Sequence, residues 1–354
     1  MVLVMKPQSK KVKMQKKIFF LVFKYNFRSI YFNNFIKIKK IKNFRLWNLS
    51  GPLKYYLFGI FIIFFVQRFH FFFKNCTLIS CDGQPILSYN AINLWFGGTS
   101  HKIPTNHRKL KNNCHVFENF IKKEKNLIKL YPHNLKLFVP KKKIKIIFIG
   151  NFTLYNLSII NNIWQREKKK IFNNCEIIEK KIFWKKYNLH NHPNIHNYYI
   201  AIKDLLRFNL IIELKQKFKH QLIVVGNNWK PYIKSSLKSN YNSKYISSLY
   251  NGNICLDFGS KWGSNSLYPR SIEILESGGL LLQSAQSDSK EIYDKHYKNL
   301  SFNNLSEISS RIKTLLKNSS KIKKLYADQN EVFSSVNSNY NTLKKIYLIS
   351  KKNN

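Results

Sequence analysis

The chain reads as an α/β protein built on a doubly wound parallel sheet, and three observations carry that reading. Short apolar runs occur at 144–150 (IKIIFIG), 221–226 (QLIVVG) and 253–259 (NICLDFG), each closing on glycine. They do not alternate with polar residues, so they fit strands buried on both faces. Stretches with helical spacing separate them, and strand alternating with helix is the signature of a parallel sheet covered by its crossovers. The third observation is the segment 267–283, LYPRSIEILESGGLLLQ, where a proline opens a helix of about two turns, a glycine pair stops it, and an apolar strand follows.

In order along the chain, residues 1–50 form a basic, aromatic-rich arm with thirteen Lys or Arg and no acid, the first acidic residue being Asp82. Such an arm suits either an anionic membrane surface or a poorly ordered tail. The apolar run 55–66, YYLFGIFIIFFV, is shorter than the roughly twenty residues of a spanning helix, and Arg68 and His70 interrupt its extension, so a buried or membrane-docked helix is the reading preferred over a span. Residues 51–140 form an N-terminal α/β domain with strands at 77–80 and 91–96. The second strand runs into NLWFGGTSHKIP, which puts His101 on a glycine-rich loop at a strand's carboxyl edge. His101 is the candidate general base of this half, against the alternative of an ordinary surface histidine.

A basic run at 141–145 marks a linker, and 141–354 forms a C-terminal α/β domain with a helical tail. After the strand ending at Gly150 the spacing predicts a helix over 153–167, a strand at 176–183, a long helix over 192–217, the strand 221–226, helices at 232–238 and 244–250, and the strand 253–259. A glycine-rich loop then leads to the helix carrying Arg270 and to the strand 280–283, and the tail is helical at 304–317, 319–336 and 342–350.

Composition limits function less than it first suggests. The 354 residues suffice for two domains, and 61 Lys and Arg against 17 Asp and Glu give a net charge of +44. That charge points to polyanions, but the same chain is crowded with Asn, Ile, Phe and Tyr, a bias that an A/T-rich coding sequence also produces. The five cysteines include no C-x-x-C pair, so neither a disulfide framework nor a zinc site is implied. The helix after Pro269 offers sharper chemistry. Its N-terminus presents free backbone N–H groups with Arg270 beside them, a setting for an anion such as a diphosphate. Glu273 follows three residues later on the same face, placed either to accept sugar hydroxyls or to pair with Arg270.

The run 253–283, NICLDFGSKWGSNSLYPRSIEILESGGLLLQ, resembles the C-terminal donor domain of the group 1 glycosyltransferases of GT-B architecture, particularly their spore-maturation-protein-like branch. The resemblance extends upstream to QLIVVGNNW and IIFIGN and downstream to EIYD and the helical tail, covering about residues 144–348. It implies two Rossmann-like domains with a cleft between them, the N-terminal one, on the acceptor side, reduced or divergent. Glu273, five residues before Gly278, matches the second glutamate of the family's paired-glutamate motif, which holds the ribose hydroxyls of a nucleotide sugar. The first glutamate falls eight residues earlier, where this chain has Asn265. By the same resemblance Arg270 faces the diphosphate, Gly150 and Asn151 approach it from the first strand, and Gly226, Asn228 and Trp229 border the base. Relatives often carry a basic residue soon after the first glycine turn; residues 152–157 have none, which leaves more of the charge to Arg270.

The implied reaction moves a sugar from a nucleoside diphosphate to a hydroxyl of a glycan, lipid-linked or protein acceptor, in surface polysaccharide, lipopolysaccharide or glycoconjugate synthesis. It uses no metal and no cofactor beyond the nucleotide-sugar substrate, with His101 taking the acceptor proton. The expected place is cytoplasmic, with peripheral attachment to the inner face of an anionic membrane. Two other classes stay open: a non-catalytic glycosyltransferase-like scaffold, and a basic nucleic-acid-binding protein. Against the latter, six of the 17 acids fall within 257–294 and no nucleic-acid recognition motif is present, so no specific nucleic-acid partner is expected.

Overall fold

The computed structural model describes residues 135–153, 157–173, 178, 180–238, 242–259, 269–286 and 289–334, together with the backbones of six earlier strands. His101, Asn265, the apolar run at 55–73 and the tail helix at 342–350 lie outside the described residues. By its contacts the chain forms two compact units, the first holding the strands up to residue 95 and the second everything described from residue 135 to 334.

The earlier strands are β1 (Lys17–Val22), β2 (Phe44–Asn48), β3 (Cys76–Cys81), β4 (Ala91–Trp95), β5 (Cys114–Phe117) and β6 (Leu127–Ile128). In the first unit the strands lie in the order β2-β1-β3-β4, and β5 runs parallel to β6. β1 runs parallel to β2 and to β3, and β3 parallel to β4. β3 and β4 answer the strands expected at 77–80 and 91–96, whereas β1 and β2 come from within the basic arm.

The second unit is built on β7 (Ile146–Ile149), β8 (Leu222–Val225), β9 (Ile254–Asp257), β10 (Leu280–Ser284) and β11 (Ser301–Phe302). All neighbours are parallel, in the order β11-β10-β9-β7-β8. Every residue of β7, β9 and β10 is buried. Neighbouring residues of a strand point to opposite faces, so both faces of this sheet are covered, as the unbroken apolar runs require. Each such Ile, Leu or Phe contributes about 1.5–3 kcal/mol by leaving water.

The connecting helices are α1 (Ser158–Asn173), α2 (Lys181–Lys185), α3 (Ile195–Phe218), α4 (Ser243–Tyr250), α5 (Pro269–Glu276), α6 (Ser289–Tyr293), α7 (Tyr297–Leu300), α8 (Leu305–Lys317) and α9 (Ser319–Ser334). The C-terminal half of α3 packs into the main core with Ile211, Leu214 and Phe218, while its first half joins α1 and α2 in a second apolar cluster around Trp164, Phe183 and Trp184. Local chemistry sets the helix starts. Asn242 caps α4 by accepting from the Lys244 and Tyr245 N–H groups, and Asn304 caps α8 by accepting from Glu307 N. α9 completes the sheet where β11 is too short: buried Gln329 accepts from Leu281 N at 2.8 Å and donates to Gly279 O at 3.1 Å, replacing strand partners that two residues of β11 cannot supply.

Two expected elements are corrected. Of the strand expected at 176–183, the described residues 178 and 180–183 form no strand, and α2 begins at Lys181. Its backbone bonds are local, Phe183 N donating to Lys180 O at 3.0 Å and Lys186 N to Ile182 O at 3.3 Å, and Phe183 and Trp184 are buried in the apolar cluster shared with α1 and α3. The helix at 232–238 is replaced by turns. Its internal bonds are isolated turns, such as Ser236 N donating to Ile233 O at 2.9 Å, and its end joins the edge of β8, Leu237 N donating to Val224 O and Gly226 N to Leu237 O, both at 2.9 Å. The basic run at 141–145, expected as a linker, is tied to the second unit: Lys141 N donates to Gly252 O at 3.3 Å and Lys145 N to the Asn253 side chain at 2.9 Å.

Candidate functional site

In a sheet of this order the chain leaves β7 toward β8 on one side, while β9, β10 and β11 extend the other way. The crevice beyond the carboxyl ends of β7 and β9 is therefore the topological switch point, where open parallel sheets bind ligands. Gly150 and Asn151 follow β7 there, Gly226 to Trp229 follow β8, and α5 begins after the loop that leaves β9.

The first two loops are fastened together. Gly150 N donates to Val225 O at 2.8 Å and Phe152 N to Asn227 O at 3.2 Å. The Asn151 side chain accepts from Asn227 N at 2.9 Å, and the Asn228 amide donates to Phe152 O at 2.8 Å. A Cβ on Gly226 would stand 2.2 Å from the Gly150 carbonyl oxygen, so only glycine allows this approach. Trp229 is fully buried against Phe148, Phe152 and Phe208, and its indole N–H donates to Gly150 O at 2.5 Å. The tryptophan placed by sequence beside a nucleotide base therefore lies in the core, and what it does in this structure is hold the β7 loop.

Two arginines approach that loop. The Arg270 guanidinium stands against Gly150, with a Cβ on that glycine only 3.0 Å from one of its nitrogens. On α3, buried Arg207 donates to Asn151 O at 2.9 Å and is ion-paired with buried Asp204 one turn before it. The sequence reading missed Arg207. Its available signal was an acid and a base three residues apart on a helix that is otherwise apolar there.

α5 forms where the proline and glycine signals put it. Its end is a Schellman turn, with Gly279 N bonded to Ile274 O at 2.9 Å and Gly278 N to Leu275 O at 3.3 Å. Ile272, Ile274 and Leu275 are buried, which leaves Arg270, Glu273 and Glu276 half-buried. Among the described residues the Glu273 carboxyl has no hydrogen bond or ion pair. Desolvation pushes its pKa up to about 7, and nearby Arg270 pulls only partly against that. The fully buried Tyr250 hydroxyl also lacks a hydrogen-bond partner, and its pKa is driven up by burial and then by the charge of Glu273.

Asp257, at the end of β9, has the opposite surroundings. One carboxylate oxygen accepts from Gly259 N at 3.0 Å; the other accepts from the Ser271 hydroxyl on α5 and from Gln283 Nε2 at 3.1 Å. Gln283 Nε2 also donates to Ser271 Oγ at 2.8 Å, while its carbonyl oxygen accepts from the Tyr293 hydroxyl at 2.5 Å. Asp257, Ser271, Gln283 and Tyr293 are all fully buried. The sequence reading gave Asp257 no part, although an acid closing an otherwise apolar strand was the visible signal.

Of the sequence-derived candidates, Gly150, Asn151, Gly226, Asn228, Trp229, Arg270 and Glu273 are described. The β7 and β8 loops meet, and Arg270 meets them at Gly150. Among the described residues no three His, Cys, Asp or Glu side chains are grouped as a metal site would need, and no helix is long and apolar enough to cross a membrane. Compared with protein-family models and with curated proteins, the chain matches none.

Proposed function

We propose that the protein is a glycosyltransferase whose second unit binds the nucleoside diphosphate of a sugar donor at the carboxyl edge of the β7-β9 sheet. The observation that carries this reading is the meeting of Arg270, at the start of α5, with the glycine turn after β7, beside a desolvated Glu273 carboxyl that makes no hydrogen bond among the described residues. An arginine and a helix N-terminus aimed at one glycine-lined turn suit a diphosphate. A carboxylate lacking hydrogen bonds suits the hydroxyls of a ribose or sugar. In this reading the diphosphate's charge is neutralised as it leaves by Arg270 and the N-terminal N–H groups of α5, without a metal. The acceptor is a hydroxyl of a glycan, lipid-linked or protein substrate, and His101 serves as the base that takes its proton. The two-domain GT-B architecture, a cytoplasmic site of action and attachment of the basic arm to an anionic membrane surface belong to the same proposal.

The test is calorimetric titration of the full chain with a panel of nucleoside diphosphates and their sugars. At least one member should bind, and Arg270→Ala and Glu273→Ala should each weaken it about tenfold or more, equal to about 1.4 kcal/mol. Absence of binding across the panel, with strongly salt-dependent binding to nucleic acid, would overturn the reading in favour of a nucleic-acid-binding protein. Binding without turnover of any donor would leave a non-catalytic scaffold.

A further inference from the structure

We infer that Asp257 is a positioning residue of this site, fixing the first turn of α5 so that Arg270 meets a diphosphate held at Gly150; this rests on the donor-binding reading above. A carboxylate in a fully buried place is expensive to desolvate, and a well-packed apolar residue is often as stable or more stable there. What the carboxylate provides instead is direction. The Tyr293 hydroxyl donates to the Gln283 carbonyl oxygen, which turns the Gln283 amide nitrogen toward Asp257 and Ser271. Ser271 Oγ already receives a hydrogen from Gln283, so its own hydrogen points to Asp257. The set is therefore ordered in one sense, from β10 and α6 into the end of β9.

Two of the groups that Asp257 holds bracket the loop and helix start of the site. Gly259 N is at the exit of β9, and Ser271 is the residue after Arg270. An apolar residue at 257 would pack but would aim neither of them. A rotation of α5 by part of a turn would carry Arg270 away from Gly150, where its guanidinium now stands. Rigid support of this kind keeps a binding group within the fraction of an ångström that its geometry needs.

The experiment uses the full chain and three kinds of probe: inorganic pyrophosphate, the nucleoside diphosphates UDP and GDP, and the matching nucleosides, observed by calorimetry and by ligand NMR. In Asp257→Asn one acceptor oxygen becomes a donor, and in Ser271→Ala the link to α5 is lost. Both variants should weaken pyrophosphate and the diphosphate about tenfold and leave the nucleoside unchanged, because only the phosphate contacts depend on where Arg270 stands. Ser271→Ala also serves if Asp257→Asn does not fold. Equal weakening of nucleoside and diphosphate in both variants would mean a purely structural role and would overturn the inference, as would unchanged diphosphate binding. Failure of the unaltered chain to bind any of the three would instead remove the donor-site reading, and this inference with it.

Discussion

Two carboxylates lie on consecutive elements of the same strand-loop-helix unit, and the structure treats them in opposite ways. Asp257, at the end of β9, is fully buried and receives hydrogen bonds from Gly259, Ser271 and Gln283. Glu273, on α5, is half-buried, has no partner among the described residues and has its pKa pushed up to about 7. The first is what a folded protein does with a buried charge when the charge organises its surroundings. The second keeps an unmet demand for hydrogen-bond donors, and groups left in that condition cluster where ligands bind. The contrast separates a group that builds the site from a group offered to what enters it.

The largest way to break this contrast is Asp257→Ala. Three donors would lose their acceptor inside the core, and the expected loss is about 4 kcal/mol, read as a fall in the urea midpoint of the second unit's unfolding. Glu273→Gln should move stability the other way. The folded-state pKa is raised from 4.5 to about 7, so between those values the folded chain holds a proton that the unfolded chain has released. Stability contributed by this group therefore falls as pH rises through that window. At pH 8 the glutamine variant should be more stable by up to about 3 kcal/mol, and at pH 4 it should match the unaltered chain. Urea titrations at the two pH values check the sign, and a loss of stability at pH 8 would show that Glu273 is not desolvated as described.

Trp229→Phe sharpens the comparison from the other loop. It removes the indole N–H that holds Gly150 O and leaves a void, at a cost of about 2 kcal/mol, and it should weaken diphosphate binding as well, because the turn that Arg270 faces is released. The smallest expected effect is on affinity. Ligand hydroxyls donate to the ionised form of Glu273, so binding should weaken as pH falls below about 7, approaching tenfold per unit, about 1.4 kcal/mol. Glu273→Gln should flatten that pH profile, which titrations from pH 5 to pH 8 would reveal.

How much of this was legible in the sequence varies with the kind of signal. The strands at 146–149, 222–225, 254–257 and 280–284 were readable because both their faces are covered, so nearly every residue in them is apolar. α5 was readable because Pro269 and Gly278 act locally, at the first turn and just past the last. Misreadings came where apolar residues could serve two geometries: Ile178 and Phe183 fit a short strand, but both pack in the cluster of α1, α2 and α3. Leu237 resembled a helix residue and is instead an added bridge on β8.

The sequence alone determined the class of the second unit, the places of its strands, and the loop and helix ends where chemistry is possible, since these follow from patterning and from residues that act within one turn. Only the tertiary structure decided which polar groups are spent and which are left available. Asp257 carried no expectation and accepts hydrogen bonds from α5 and β10; Trp229 was expected beside a base and is buried in the core; Glu273, expected either to accept hydroxyls or to pair with Arg270, makes no hydrogen bond among the described residues while the charge of Arg270 acts on it. The reason is physical: a side chain's hydrogen bonds and its desolvation depend on neighbours that are distant in sequence, and those neighbours exist only once the sheet has brought β7, β9 and α5 to one edge.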